Sequence, residues 1–232
     1  MKITKATDLQ RTGNWRVLLY GKPGIGKTSV IKTIPGRTLV LSLDNSEKVL
    51  AGTNNVDVIS FDREHPTEFM GEFLTEIDSI IGDYDNLVID NISSFQIDWF
   101  VEQGRSSKNG ITNELQQYNM FTNYFIRILT ALYKRPINIY VTAWEDTREL
   151  NLETGQIITQ YVPQIRHTVL SNLLGLTDVV GRVQVNPETG GRGIILEGSD
   201  GVYAKNRLDN RTACKIEEVF AFGVEGLPEG TD

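Results

Sequence analysis

The stretch GKPGIGKT, residues 21–28, decides the fold of this chain. It follows the apolar run WRVLLY, which is typical of a buried strand, and it precedes SVIKTI, which is typical of the first turns of a helix. One glycine, four further residues and then Gly-Lys-Thr is the spacing of a phosphate-binding loop. We therefore expect residues 15–34 to form a strand, a phosphate loop and the start of a helix.

Each residue type in this loop has a chemical reason to be there. A polyphosphate accepts several backbone N–H groups at once, and glycine lets the chain approach it closely because glycine has no Cβ. The positive end of the following helix would add to this attraction. We expect Lys27 to reach the β- and γ-phosphates and the Thr28 hydroxyl to bind Mg²⁺. The residues expected to contact the nucleotide are Gly21, Pro23, Gly24, Ile25, Gly26, Lys27, Thr28 and Ser29.

The composition is that of an ordinary globular chain. Of the 232 residues, 40% are hydrophobic and 23% are charged, which suits one large domain. The single cysteine, Cys214, excludes an internal disulfide, and His65 and His167 are too far apart in the sequence to indicate a zinc site. No apolar run resembles a signal peptide or a membrane span, so we expect a cytoplasmic protein, in a bacterial host if phage-encoded, without a membrane partner.

The charge balance is acidic, with a formal net charge of −7. This excludes a protein that coats duplex DNA, although a local basic groove on an acidic body can still bind nucleic acid. Residues 201–215 form one locally basic segment. A surface exposed only to solvent is the alternative interpretation of this segment.

Strand and helix patterns alternate along the first two thirds of the chain. Apolar runs typical of buried parallel strands cover residues 15–20, 38–43, 56–61, 87–90 and 137–142. Helical patterns cover residues 27–34, 67–81 and about 113–133. This alternation predicts an α/β fold of the P-loop NTPase class, with a mostly parallel sheet flanked by helices. The segment VVGRVQVNPETGGRGIILEG, residues 179–198, predicts a C-terminal antiparallel hairpin.

A second motif, NLVID, ends at Asp90. A phosphate loop needs a carboxylate on the metal side, usually at the carboxyl end of a neighbouring buried strand, and Asp90 suits that position. An aspartate after an apolar run can instead cap a helix. The stretch LVLSLDNSE places Asp44 and Glu47 after the second strand, and either one could orient the attacking water or be an ordinary loop residue. Thr142 ends another strand and could touch the γ-phosphate or be simply a residue that favours strands.

The motifs narrow the class of nucleotide-binding protein. The chain lacks the guanine-reading NKxD pattern, the LSGGQ signature of transporter ATPases and an arginine-rich lid over residues 91–133. It resembles the RecA-like ATPases, and among them the small phage-encoded recombination ATPases with an AAA-type nucleotide-binding core. The resemblance covers residues 14–209 through GKPGIGKT, LVLSLDNSE, NLVIDNISS and VYAKNRLDN.

This resemblance implies a Mg²⁺-dependent ATPase that forms a homo-oligomer, with ATP at subunit interfaces. It implies single-stranded DNA as a ligand, in recombination or replication, and a single-strand-binding protein as a further partner. Lys205-Asn206-Arg207 is similar to a motif of bacterial RadA-type members that reaches the γ-phosphate of the neighbouring subunit. Here Leu208-Asp209 follow, where the family often has a glycine.

The resemblance also implies two mobile loops that hold single-stranded DNA. The first corresponds to GRSSKNGITN, in which Arg105 and Lys108 suit a flexible clamp on the DNA backbone. The second corresponds to WEDTRELNLETGQ, which is acidic and has only Trp144 and the more distant Tyr161 for stacking on bases. Connections without a ligand are the alternative for both.

These observations predict three parts of the chain: an N-terminal segment, a RecA-like ATPase core and a C-terminal extension with a frayed tail at 224–232. The boundaries are 1–13, 14–210 and 211–232. Two other functions stay open. One is a non-catalytic, nucleotide-gated assembly module such as a helicase loader or packaging partner, and the other is a small-molecule kinase.

Overall fold

The structure is a computed structural model that describes residues 3–9 and 11–223, so the predicted frayed tail lies outside the described residues. Its strands are β1 (Arg16–Tyr20), β2 (Thr38–Ser42), β3 (Val56–Ser60), β4 (Asn86–Asp90), β5 (Asn138–Ala143), β6 (Glu145–Asn151), β7 (Ile157–Pro163), β8 (Val179–Val185), β9 (Arg192–Ile195), β10 (Lys205–Asn206) and β11 (Ala213–Lys215). Its α-helices are α1 (Pro66–Ile80), α2 (Ile92–Arg105), α3 (Leu115–Tyr133) and α4 (His167–Leu176). None of the helices in these ranges is long and apolar enough to cross a membrane.

One large sheet organises the chain. Within the described residues it has nine strands in the order β11-β9-β8-β1-β5-β4-β2-β3, with β10 paired to β8. The strands from β8 to β3 in this order run parallel, whereas β9, β10 and β11 are antiparallel to their neighbours. The predicted α/β fold is confirmed, and β8 and β9 form the predicted C-terminal hairpin.

Both faces of the parallel strands are buried, which explains their unbroken apolar sequences. In β1, Leu18 and Tyr20 point to the face that is covered by α1, α2, α3 and α4. Val17 and Leu19 point to the other face, where they pack with Val30 and with the segment that follows β11. The two cores fix the sheet on which the phosphate loop is mounted.

The register places three motifs at the same edge of the sheet. Leu19 lies opposite Thr142, and Ile89 lies opposite Val141, so β1, β4 and β5 end together. The phosphate loop follows β1, and Asp90 ends β4. The motifs that are far apart in the sequence therefore meet at the carboxyl edge, where ligands of parallel α/β sheets bind.

The helix predicted over residues 27–34 is wrong in type and length. The structure has only a short 3₁₀-helix, Ser29–Thr33. Ile34 precedes Pro35, and a residue before proline avoids the helical region, so the helix cannot continue. So short a helix adds little dipole at the phosphate loop.

The second segment predicted as a mobile loop, residues 144–156, is also different in the structure. Its first part forms β6, which pairs along its full length with β7 in a separate two-stranded sheet. Leu152 donates its N–H to the Gln156 carbonyl at 2.8 Å, and Gly155 has a φ of +80°, which closes the turn. The segment is therefore an ordered hairpin that projects from the end of β5.

Candidate functional site

The phosphate loop opens onto a cavity of about 410 Å³ at the carboxyl edge of the sheet. We call it the phosphate cavity. Its lining residues come from the loop and from the ends of β2, β4 and β5: Pro23, Gly24, Gly26, Lys27, Thr28, Ser29, Asp44, Ser46, Val49, Asp90, Asn91 and Trp144. Ser46, Val49 and Asn91 were not predicted as site residues, although Ser46 lies within the LVLSLDNSE motif.

Two loop residues that were expected to contact the nucleotide do not line this cavity. A Cβ on Gly21 would lie 2.9 Å from the Val183 carbonyl oxygen, so this glycine is needed for close packing against β8. Ile25 packs instead against the core on the loop side of the sheet. Both residues shape the loop from behind rather than facing the cavity.

Lys27 is buried, with an exposed fraction of 6%, and its ammonium group closes the loop on itself. The Nζ atom donates to the carbonyl oxygens of Gly21 at 2.8 Å and Lys22 at 3.0 Å. Burial lowers the pKa of Lys27 to about 8, although the carboxylates of Asp90, Asp44 and Glu145 oppose this. An anion in the phosphate cavity would stabilise the charged form.

Asp90 is buried at the centre of the site, and both of its oxygens accept hydrogen bonds from threonines. Thr28 donates to Oδ2 at 2.6 Å, and Thr142 donates to Oδ1. Burial raises the pKa of Asp90, an effect that these two bonds and the charge of Lys27 oppose and that Asp44 reinforces. The carboxylate is thus held in one orientation beside the loop.

The helix-capping alternative for Asp90 does not apply in this structure. The residue that caps α2 is Asn91, whose side-chain oxygen accepts the N–H of Ser94 at 3.0 Å. Asp90 therefore does not cap the helix, and it lines the phosphate cavity instead. Thr142 is fully buried and its hydroxyl is directed to Asp90, so it positions this carboxylate. Of its two interpretations, contact with the γ-phosphate and a simple preference for strands, the first would require it to line the phosphate cavity, and it does not.

Asp44 and Glu47 have different surroundings. Asp44 lines the phosphate cavity, and its Oδ2 accepts a hydrogen bond from Asn91 Nδ2 at 3.1 Å. Glu47 accepts from Ser42 at 2.6 Å and from Ser60 at 3.2 Å, which directs its carboxylate to the ends of β2 and β3. Burial raises the pKa of Glu47, but these hydroxyl bonds outweigh it and leave that pKa below its usual value. Of the two, Asp44 is the carboxylate that faces the cavity.

The donor set suits Mg²⁺. The Thr28 hydroxyl and the Asp90 carboxylate are hard oxygen donors at one end of the cavity, and Mg²⁺ in nucleotide sites takes few protein ligands together with phosphates and water. Among the described residues there is no cluster of three or more acidic, His or Cys side chains that could hold an ion alone. Thr28 and Asp90 are thus the residues that would hold the metal with a bound nucleotide.

Lys205 and Arg207 lie at the opposite edge of the sheet. Lys205 pairs with Val180 near the start of β8, and its ammonium donates to the Leu174 carbonyl. Arg207 Nη1 donates to the Gly175 carbonyl at 3.2 Å. Both side chains reach the C-terminal end of α4, where cations are favourable, and neither lines the phosphate cavity of its own chain.

The residues predicted to contact DNA are not gathered into one surface. Arg105 ends α2 and donates to the Glu64 carbonyl at 3.0 Å, and Lys108 is exposed in the turn that follows. Trp144 lines the phosphate cavity, and the Tyr161 ring lies 3.5 Å from the Arg182 guanidinium. The stacking role considered for these two aromatic residues stays a prediction.

Comparison with known proteins places the chain in a family. The model of the AAA domain family matches residues 13–208. The chain is similar to the solved structure of a KaiC-like protein from the hyperthermophilic archaeon Pyrococcus horikoshii OT3, with 14% identity over 79% of each chain and a TM-score of 0.47. It is also similar to the RadB recombinase, with 12% identity over 79% of this chain and 80% of that one, and a TM-score of 0.46. No curated protein matches the sequence.

The family match spans most of the chain and includes every element that forms the phosphate cavity. The loop of GKPGIGKT, the carboxylate of Asp90 and the parallel sheet between them belong to the matched range. The chain therefore belongs to the AAA domain family.

Proposed function

We propose that this chain is a Mg²⁺-dependent ATPase that acts as a homo-oligomer on single-stranded DNA, in the phage recombination or replication that its motifs suggest. One observation carries the ATPase part. Thr28 and Asp90 are in direct contact at 2.6 Å beside Lys27, within one cavity that opens at the phosphate loop. A site built only to hold a phosphate would not need a buried carboxylate there, because an uncompensated negative charge repels phosphate.

The residues divide the chemistry among them. The loop N–H groups and Lys27 bind and orient the phosphate chain, and Thr142 keeps Asp90 in place. Mg²⁺, when bound by Thr28 and Asp90 with the nucleotide, neutralises charge on the phosphates. Asp44 faces the cavity and is the residue that we assign to orient the attacking water. ATP would lie between subunits, with Lys205 and Arg207 of one subunit directed to the ATP of the next.

The DNA part depends on exposed basic groups. Arg105 and Lys108 lie close together in the sequence, at the end of α2 and in the turn beyond it. The turn is held by Asn109, whose side-chain oxygen accepts the N–H of Ile111 at 3.0 Å and of Thr112 at 2.8 Å. A structured turn that presents a lysine and an arginine suits contacts to a phosphate backbone without reading bases.

Phosphate release from ATP is the measurement that tests the proposal. The purified chain should release phosphate only with Mg²⁺, and faster with an unstructured oligonucleotide. Lys27→Ala should lose this activity, whereas Lys32→Ala, which removes an exposed lysine from the neighbouring 3₁₀-helix, should keep it. Nucleotide binding without turnover would favour the assembly module, and transfer of phosphate to a small acceptor would favour the kinase.

A further inference from the structure

Arg192, the first residue of β9, lies against the phosphate loop. A Cβ placed on Gly26 would be 2.9 Å from Arg192 Nη1 and 3.5 Å from both Cδ and Cζ. The Arg192 side chain therefore passes directly over Gly26, and it fits there because Gly26 has no side chain. Gly26 also has a φ of +110°, so a larger residue would be strained there even without the arginine.

The sheet explains how a residue so distant in the sequence reaches the loop. β8 runs parallel to β1 and continues beyond it, so that Val183 packs against Gly21. β9 returns antiparallel to β8, with Arg192 opposite Val185. Because β9 and β4 lie on opposite sides of β1 in the strand order, Arg192 approaches the loop from the side away from Asp90.

The guanidinium group of Arg192 is available for a ligand. Two other arginines of the C-terminal part are paired with carboxylates: Arg182 with Glu145 at 3.1 Å and Arg211 with Asp209 at 2.7 Å. Within residues 3–9 and 11–223, Arg192 takes part in no ion pair, and its side chain is exposed. An arginine that lies against an anion-binding loop and has no carboxylate partner can bind a phosphate group there.

We propose that Arg192 is a phosphate-binding residue of the same subunit's nucleotide site, a role that rests on the proposed nucleotide binding. Its guanidinium binds phosphate oxygens from the β9 side of the loop, while Lys27 and the Thr28–Asp90 pair act from the other side. The planar fork of arginine can bind two phosphate oxygens at once, which the point charge of lysine cannot. Arg192 therefore strengthens the binding of nucleotides that carry a phosphate chain and not that of the bare nucleoside.

Calorimetric titration with ADP and with adenosine tests this role. Arg192→Ala should weaken ADP binding by about tenfold, the effect of one charge-assisted contact, and leave adenosine binding unchanged. Arg192→Lys should fall between the variant and the parent, because it keeps the charge but not the fork. Arg127→Ala, which removes an exposed arginine from α3, is the matched control and should bind ADP like the parent.

The outcomes separate this inference from the proposed function. If the parent binds ADP and Lys27→Ala does not, but Arg192→Ala binds ADP as tightly as the parent, the role of Arg192 is refuted and the nucleotide site stands. An equal loss of ADP and adenosine binding in Arg192→Ala also refutes it, because the residue would then support the loop or the base. If the parent itself binds no nucleotide, the proposed function and this inference both fail.

Discussion

The hydroxyl of Thr28 donates to Asp90 Oδ2 at 2.6 Å, which joins the end of the phosphate loop to the end of β4. Thr142 holds the other carboxylate oxygen from the neighbouring strand β5. A buried carboxylate is costly unless hydrogen bonds or cations compensate it, and here two hydroxyls and the nearby Lys27 offset part of the cost. The contacts hold the Asp90 carboxylate at the position where Mg²⁺ would bind with a nucleotide.

Asp90→Asn should abolish Mg²⁺-dependent turnover without unfolding the chain. The amide can keep one hydrogen bond from the threonines, so we expect a change in unfolding free energy within about 1 kcal/mol at acid pH. Burial raises the pKa of Asp90, so the folded parent binds a proton more tightly than the unfolded chain does. The parent should thus lose stability as pH rises from about 3.9, the usual aspartate pKa, through the folded pKa, and the variant should not.

Denaturant unfolding across this pH range, for parent and variant together, measures the effect. The difference in unfolding free energy should shift in favour of Asp90→Asn as the pH rises. A variant that is strongly destabilised at every pH, with normal turnover per folded molecule, would show that Asp90 serves the fold and not the metal.

Asp44→Asn should reduce phosphate release strongly while ATP binding stays near the parental value. Its carboxylate lines the phosphate cavity, and the amide keeps its size but cannot take a proton or orient water as an anion does. Glu47→Gln is the matched comparison, because its carboxylate is directed to Ser42 and Ser60. Single-turnover phosphate release from both variants shows which carboxylate orients the attacking water. A larger loss of activity in Glu47→Gln than in Asp44→Asn would assign this role to Glu47.

Lys27 should make nucleotide binding depend on pH. Burial lowers its pKa to about 8 in the free protein, and a bound phosphate chain should raise that pKa again. Binding then takes up a proton, so ADP affinity should fall by up to about tenfold per pH unit above this value. Titration calorimetry in buffers of different ionisation enthalpy detects the proton directly, and Lys27→Ala, which binds more weakly, should show no such uptake.

The sequence was sufficient where local pattern decides structure. The spacing in GKPGIGKT and the apolar runs of the parallel strands predicted the loop, the sheet and the position of Asp90 at its edge. It failed for β6, because the side chains of this strand are mostly exposed and EDTRELN has almost no apolar alternation. Its pairing with β7 comes from backbone hydrogen bonds that no side-chain pattern reveals.

Contacts between distant segments were beyond local pattern. Asp44 and Glu47 are equivalent in the sequence, and the hydroxyls of Ser42 and of Ser60, which comes from β3, direct Glu47 away from the cavity. The position of Arg192 over Gly26 depends on the order of β1, β8 and β9, which a single sequence does not specify. Strand order and register therefore determined which charged residues entered the site.

Removal of both Arg105 and Lys108 should weaken binding of single-stranded DNA. Each contact to a phosphate releases counterions, so affinity of the parent should fall steeply with salt, and the double alanine variant should show a shallower dependence. Fluorescence anisotropy of a labelled oligonucleotide with ATP and Mg²⁺ present measures both. Arg127→Ala removes an exposed charge from α3 and is the control. Equal binding by all three proteins would show that Arg105 and Lys108 do not contact DNA.

Lys205 and Arg207 bind at the edge of the sheet opposite to the phosphate loop. Lys205 pairs with Val180, and its ammonium is directed to the Leu174 carbonyl at the end of α4, so it does not line the phosphate cavity of its own chain. A role at ATP therefore requires a second subunit. The alternative is structural, since both side chains bind carbonyls at the end of α4.

Mixing two inactive variants distinguishes these roles. Arg207→Ala should bind ATP almost normally but hydrolyse it poorly, because a cation at the γ-phosphate is worth several kcal/mol in the transition state. Lys27→Ala fails at its own loop yet still offers an intact Arg207 to its neighbour. In mixed oligomers, some interfaces then combine an intact loop with an intact arginine, and part of the activity should return.

Arg207 is exposed, so its removal should cost little stability, which thermal unfolding checks. Full activity of Arg207→Ala alone, or no recovery in oligomers shown to be mixed, would leave the α4 contacts as its only role.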